Sequence, residues 1–328
     1  MKTPAEECSA SSATSALPMS AIQIKTIVVP LDFSPASMEM LSYAAALARR
    51  FDAAVHLIHV YPPDEAALVP GAGHLMRQTA EELFRDQLSP SHREQVGSFW
   101  AQNCHVRSGG AHQEICELAR RIEADLIVLA TRGHTGLKHV LLGSTAERVV
   151  RVAPCPVLVV RQKKQKSRVA TRRGARKSEF NVHKILVPVD FSQCSLTGAM
   201  YAALFAKTLQ ATLCFTHVLY PPSTVFVDQV IGEISQRDEL ERGDARFNME
   251  AFMKSEFLQG IRCESEIRTG YPIDEICAES GRPDIDLVVT STHGRTGFDH
   301  MLLGSVAEHV VRYAECPVMV VPSRCFKP

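Results

Sequence analysis

The 328-residue sequence predicts two tandem α/β domains, each a five-stranded parallel sheet doubly wound with helices on both faces. Three observations carry this. The chain contains itself twice, at a period of about 160 residues. Each copy alternates short β-branched runs with helical patterns, which is the signature of βαβ units. The inner runs, such as LIVLA and PVLVV, are apolar throughout, as parallel strands buried on both faces are.

The repeat is explicit. KTIVVPLDFS (25–34) matches KILVPVDFS (184–192), and His59-Val60 matches His217-Val218, with Tyr-Pro-Pro following in each copy. Residues 126–160 align without gaps to 287–321, with 22 of 35 positions identical. Solenoid units run to roughly 20–50 residues, so each copy here is a domain. Strands are expected at 26–30, 54–60, 104–107, 126–130 and 157–161 in the first copy. The second offers 184–189, 212–218, 262–268, 287–291 and 318–321. Ile115, Leu118, Ala119 and Ile122 recur at helical spacing and place an amphipathic helix over 111–123. The stretch 64–103 reads as a loop and then a helix interrupted at Ser89-Pro90; its counterpart, 223–260, is more continuous.

Boundaries follow from composition. Residues 1–22 are small and polar without an apolar leader core and are expected to form a disordered tail. Domains are expected over 23–162 and 182–323, with a C-terminal tail at 324–328. Between them, 163–181 is a basic linker; the stretch 161–180 holds nine Lys/Arg against one Glu and reads as a solvated tether. Lys+Arg and Asp+Glu are equal at 36 each, which excludes a globally basic nucleic-acid binder, and no specific nucleic-acid partner is expected. No apolar run approaches the roughly 18–20 residues of a membrane span. The ten cysteines form no C-x-x-C pair and suit a reducing, cytoplasmic setting. Cys155 and Cys316, each before a Pro, read as turn-and-core residues.

Two loops in each copy carry chemistry. In an open parallel sheet, ligands bind beyond the carboxyl ends of the strands, at the switch point. After the first strand come Asp32, Phe33 and Ser34, then Pro35; Ser34-Pro35 is an N-cap and N1 pair. Asp32, and Asp190 in the second copy, accept ribose hydroxyls, help hold a cation beside phosphates, or merely cap the same helix. After the fourth strand, Gly133 and Gly143 with Ser144 form a glycine-containing loop opening a helix, repeated by Gly294, Gly304 and Ser305. Such backbone amides and a helix N-terminus suit a di- or triphosphate. The competing reading is a capping box, Ser144-x-x-Glu147 and Ser305-x-x-Glu308. No G-x-S-x-G elbow, H-E-x-x-H helix, Ser-Gly-Gly phosphate loop or nucleotidylyl-transferase signature is present. His134, His139, His293 and His300 lack metal-ligand spacing, and His59 and His217 read as packed strand-end histidines.

Gly-Ser-x-Ala-Glu-x-Val-Val-Arg followed by Cys-Pro-Val, after Thr-x-Gly-x-Thr-Gly, resembles the universal stress protein family, and the whole chain resembles its tandem-domain members. The resemblance implies a Rossmann-like, adenine nucleotide alpha hydrolase-like fold and a stress-response role. Its nucleotide-binding branch carries G-x2-G-x9-G-[ST]. Here the later positions fall on Gly133, Gly143 and Ser144, and on Gly294, Gly304 and Ser305, while Ala130 and Ser291 replace the first glycine. A positive φ there would now be strained. The implied ligand is ATP, with Mg2+ as an optional companion of its phosphates. The implied site comprises Pro30, Asp32, Val60, Ala130, Gly133, Gly143, Ser144 and Thr145 in the first copy. In the second it comprises Pro188, Asp190, Val218, Ser291, Gly294, Gly304, Ser305 and Val306. Asp32 and Asp190 are the implied ribose contacts; Val60 and Val218 lie against adenine. The expectation is a nucleotide-responsive binding module with no turnover beyond slow ATP hydrolysis. The alternatives are a weak ATPase or phosphotransferase and a nucleotide-free stress scaffold. Finally, 157–160 and 318–321 are too apolar for exposed edges. The family dimerises through this strand, so the two copies are expected to pair there as an intrachain pseudo-dimer, with a homodimer also open to the chain.

Overall fold

The computed structural model describes residues 22–61, 82–96, 100–131, 142–161, 181–221, 231–292 and 303–323. Gly133, Gly294, the histidines at 134, 139, 293 and 300, both tails and residues 162–180 of the basic stretch lie outside the described residues.

The first lobe contains β1 (Thr26–Pro30), β2 (Ala54–Tyr61), β3 (Cys104–Ser108), β4 (Leu126–Ala130) and β5 (Val157–Val160). The second repeats them as β6 (Lys184–Pro188), β7 (Thr212–Leu219), β8 (Cys263–Thr269), β9 (Leu287–Ser291) and β10 (Val318–Val321). Every boundary lies within one residue of the expected run. The helices are α1 (Pro35–Phe51), α2 (Pro90–Val96), α3 (Ala111–Arg121) and α4 (Ser144–Val152). In the second lobe they are α5 (Gln193–Leu209), α6 (Ile231–Met253), α7 (Pro272–Ser280) and α8 (Ser305–Tyr313). Helix α3 stops two residues before its expected end because Glu123 turns to φ 50°.

Each lobe has the order 3-2-1-4-5, and the lobes join into one ten-stranded sheet, β3-β2-β1-β4-β5-β10-β9-β6-β7-β8. All neighbours within a lobe are parallel; β5 and β10 alone meet antiparallel, with Val318 opposite Val159 and Val320 opposite Val157. Both strands are buried along their whole length, which an unpaired edge could not sustain. Two apolar layers cover the sheet and both continue across the seam. One packs α1, α5 and α6 on one face; the other packs α3, α4, α7 and α8 on the opposite face.

Lobe-one arginines pin the seam from both faces. Arg50, at the end of α1, donates to Thr208 O in the last turn of α5, while Phe51 stacks on Phe205 at 5.5 Å. Arg161, just after β5, donates to Arg312 O and to Tyr313 O and Ala314 O at 3.3 and 3.1 Å, capping the carboxyl end of α8. Cations there satisfy terminal carbonyls and complement the helix dipole. At the amino-terminal side of the strands, Asp125 accepts from Lys25 N and Thr26 N at 2.7 and 3.0 Å, and Asp286 repeats this with His183 N and Lys184 N. These carboxylates fix strand starts, at the opposite ends of the strands from the loops after β1, β4, β6 and β9.

Candidate functional site

Within each lobe the strand order reverses direction between β1 and β4, and between β6 and β9, which are hydrogen-bonded neighbours. The two loops singled out in the sequence therefore leave adjacent strands at one carboxyl edge, the position where open α/β sheets hold ligands.

The β1 loop is built by short-range bonds. Asp32 Oδ1 accepts from Ser34 N at 3.0 Å and from Ser34 Oγ at 2.6 Å. Ser34 Oγ in turn accepts from Ser37 N at 3.2 Å, so Ser34 is the N-cap and Asp32 buttresses it. Asp190 Oδ1 accepts from Ser192 N at 3.0 Å, and Ser192 caps α5 through Ser195 N. Capping support and ligand contact are not exclusive, because a carboxylate offers about four acceptor positions. Pro30 and Pro188, the last residues of β1 and β6, lie in register with Ile58 and Thr216.

One feature of this loop was not read from the sequence, and the packed reading of His59 and His217 is borne out. Phe33 and Phe191 both stand at φ 60°, the left-handed region that a bulky residue rarely enters. Their rings are held by His59 and His217, at centroid distances of 4.8 and 4.5 Å. Those histidines are clamps: Nδ1 of His59 lies 2.7 Å from Leu31 O, and Nδ1 of His217 lies 2.7 Å from Val189 O. A carbonyl only accepts, so Nδ1 carries the proton in each ring. Repetition of both Asp-Phe-Ser and His-Val in the two copies was the available signal. Val60 and Val218, the next residues along, point to the opposite face of the sheet and are partly buried against its core layer.

The β4 loop is closed by its ends. Thr131 N donates to Val160 O at 3.0 Å, and Thr131 O accepts from Gly143 N at 2.6 Å. Thr292 and Gly304 repeat the closure at 2.7 Å. The amino end of α4, and of α8, is thereby fixed directly beyond β4 and β9. Gly143 and Gly304 are the N-caps, their carbonyls accepting from Glu147 N at 3.0 Å and Glu308 N at 2.9 Å.

That geometry corrects two expectations. Ser144 and Ser305 are the first helical residues, one position past the cap, so the capping-box reading fails. Glu147 instead pairs with Arg151 at 2.9 Å and with Arg312 across the seam at 3.4 Å; Glu308 pairs with Arg312 at 2.8 Å. Secondly, Ala130 and Ser291 end their strands, and neither is among the described residues with positive φ. The backbone there is strand-like, so exchanging the motif's first glycine for Ala or Ser costs no strain. Ser144, Thr145 and Ser305 are exposed and Val306 is half-buried. Each lobe thus presents helix-terminal amides and a serine hydroxyl, an arrangement able to bind an anion. Among the described residues no group of three or more His, Cys, Asp or Glu could hold a metal ion. No described helix is long and apolar enough to cross a membrane.

Comparison with known proteins agrees with this architecture. The model of the universal stress protein family matches residues 23–161 and again 181–322. A universal stress protein of Methanocaldococcus jannaschii is 37% identical over 145 residues, covering 43% of this chain and 84% of that one. One of Mycolicibacterium smegmatis is 27% identical over 311 residues, covering 91% of this chain and 97% of its own. The crystal structure of a universal stress protein from Archaeoglobus fulgidus covers 92% of this chain and 100% of its own, with a TM-score of 0.60 at 19% identity; this likeness speaks to the fold alone. With two family domains in one chain and a full-length tandem relative, the protein belongs to the universal stress protein family as a tandem-domain member.

Proposed function

We propose that each lobe binds adenine nucleotide at the β1 and β4 loops, and that the protein acts in the stress response as a nucleotide-responsive binding module. The observation that carries this reading is the convergence, at the switch point of each lobe, of the Asp32 or Asp190 loop with a helix N-terminus whose serine is not used for capping. In this reading Gly133, Gly143, Ser144 and Thr145 take the phosphates of ATP. Gly294, Gly304, Ser305 and Val306 do so in the second lobe. Asp32 and Asp190 take the ribose, Val60 and Val218 lie against adenine, and Mg2+ accompanies the phosphates where it is bound. Binding without turnover is the mode this reading favours, because Asp32 and Asp190 already accept from their own helix-capping serines, which makes them poor free bases. The lobes act as an intrachain pseudo-dimer held at β5 and β10, and a cytoplasmic setting goes with this reading.

The test is calorimetry with ATP on the full chain and on Gly143→Val and Gly304→Val. Both glycines have extended φ, −71° and −59°, so valine fits the backbone and the fold should survive. Its side chain would occupy the space a phosphate needs. Each variant should lose one of two bound ATP molecules. Unchanged stoichiometry in the double variant rejects the site.

A further inference from the structure

We infer that the second lobe carries a separate binding site for an amphipathic organic anion, in the groove between α6 and strands β7 and β8. The groove has a volume of about 680 Å³. Ligand pockets for small molecules span roughly 300–1,000 Å³. Leu219 and Ile267 from the sheet and Met249 and Met253 from α6 supply its apolar surface. Met249, Met253 and Ile267 belong to the core layer on the α5 and α6 face, whereas Val218 packs against the opposite layer. The groove is therefore on the other side of the sheet from the valine read as the adenine contact. Methionines are unbranched and polarisable, and they adapt to ligands of irregular shape.

The charges above that surface are one-sided. Arg242, Arg246 and Lys254 line the groove against one carboxylate, Glu250. Arg242, Arg246, Met249, Glu250 and Met253 recur at helical spacing, so a single stripe of α6 presents cations and apolar groups together. Two other arginines of this lobe are spent on carboxylates: Arg268 faces Glu266, Glu275 and Glu279, and Arg282 faces Asp284. Arg242, Arg246 and Lys254 make no ion pair or side-chain hydrogen bond among the described residues. A ligand with an anionic head and an apolar body matches both halves of the groove. Ser265 and Thr269 add hydroxyls on the β8 side.

The experiment is calorimetry of the full chain with decanoate, with 1-decanol and inorganic phosphate as separate arms and with ATP present or absent. One decanoate should bind per chain, and Arg242→Glu with Arg246→Glu should weaken it about tenfold, the range set by a lost charge-assisted contact. Ser265→Trp, which fills the groove from β8 without replacing a cation, should weaken it comparably. ATP should leave decanoate affinity unchanged, so this result stands or falls apart from the nucleotide reading. Four outcomes overturn the inference: no saturable decanoate binding, equal affinity for 1-decanol, equal affinity for phosphate alone, or displacement by ATP. Thermal melts of the variants matching the parent show that a lost signal is not unfolding.

Discussion

The internal repeat supplies its own mutagenesis control for a buried ionic cluster found only in the second lobe's sequence. Glu279 on α7 is 1% exposed; its Oε2 accepts from Thr216 Oγ1 at 2.7 Å, and its Oε1 stands 2.8 Å from Arg268 Nε without an N–H aimed at it. The equivalent positions of the first lobe are Leu118 and Ile58, both fully buried. Thr216→Ile with Glu279→Leu therefore transplants a packing that this fold already uses, with the same number of side-chain heavy atoms in total. Arg268 keeps Glu266 and Glu275 at 3.2 Å, and Arg282 keeps Asp284 at 3.0 Å, so no cation is orphaned. Replacing a buried ion pair by apolar groups is neutral to stabilising by about 1–4 kcal/mol. Either single change should cost stability instead, because it strands one partner of the 2.7 Å bond, worth about 1–3 kcal/mol. Burial pushes the Glu279 carboxyl above its ordinary value, against the opposing pull of Thr216 and Arg268. An acid whose folded pKa is raised destabilises the fold as pH climbs from the unfolded value, near 4.5, toward the folded one. The advantage of the double variant should accordingly be smallest below pH 4.5 and grow through that window. Denaturant titrations of all four proteins at several pH values provide the cycle. A double variant less stable than the parent by more than about 1 kcal/mol, or additive single changes, would refute the reasoning.

Ser144→Ala and Ser305→Ala should leave stability within about 0.5 kcal/mol, since neither serine caps its helix, yet lower ATP affinity about tenfold by removing a hydroxyl from a charged group. A stability loss of about 1 kcal/mol per site with unchanged affinity, read by melting and calorimetry, would restore the capping role. Val320→Lys should open the seam, because Val320 is fully buried opposite Val157, and burying one valine contributes about 1.5–3 kcal/mol before the cost of a buried charge. Small-angle scattering and size exclusion should show separated lobes or aggregation; an unchanged compact monomer would count against the seam as the holding contact.

Strand positions were legible because parallel strands buried on both faces leave apolar runs with no competing period, as at Leu126–Ala130 and Val157–Val160. The cap at Ser34 was legible because Ser-Pro fixes both an acceptor and a φ. The start of α4 was not, since Ser-x-x-Glu scores as a capping box wherever it falls; only the bond from Glu147 N to Gly143 O moves the cap back one residue. Arg161 and Arg50 were illegible for another reason. Their partners are backbone carbonyls some 150 residues away, and a carbonyl leaves no trace in residue identity. The left-handed Phe33 was hidden likewise, because nothing in Asp-Phe-Ser announces φ except the histidine that holds the ring from another strand.

The direction of the seam has a consequence for any ligand. Because β5 and β10 run antiparallel while each lobe is internally parallel, the carboxyl ends of β1 and β4 and those of β6 and β9 lie at opposite edges of the sheet. No single nucleotide could touch both crevices, so under the proposed function the two equivalent loops would form two separate sites and not one composite site. What the crevices share is the seam. Glu147 stands in the first turn of α4, three residues from Ser144, and its carboxylate meets Arg312 in the last turn of α8, whose amino end bears Ser305. Arg312 is also held by Glu308 in the first turn of that helix. A side chain in the first turn of each of these helices is thus bonded to the same guanidinium, and Arg161 fixes the carboxyl end of the helix that carries it. Contact between the sites, if occupancy of one is felt at the other, has this short ionic route across the seam and no route through a shared ligand.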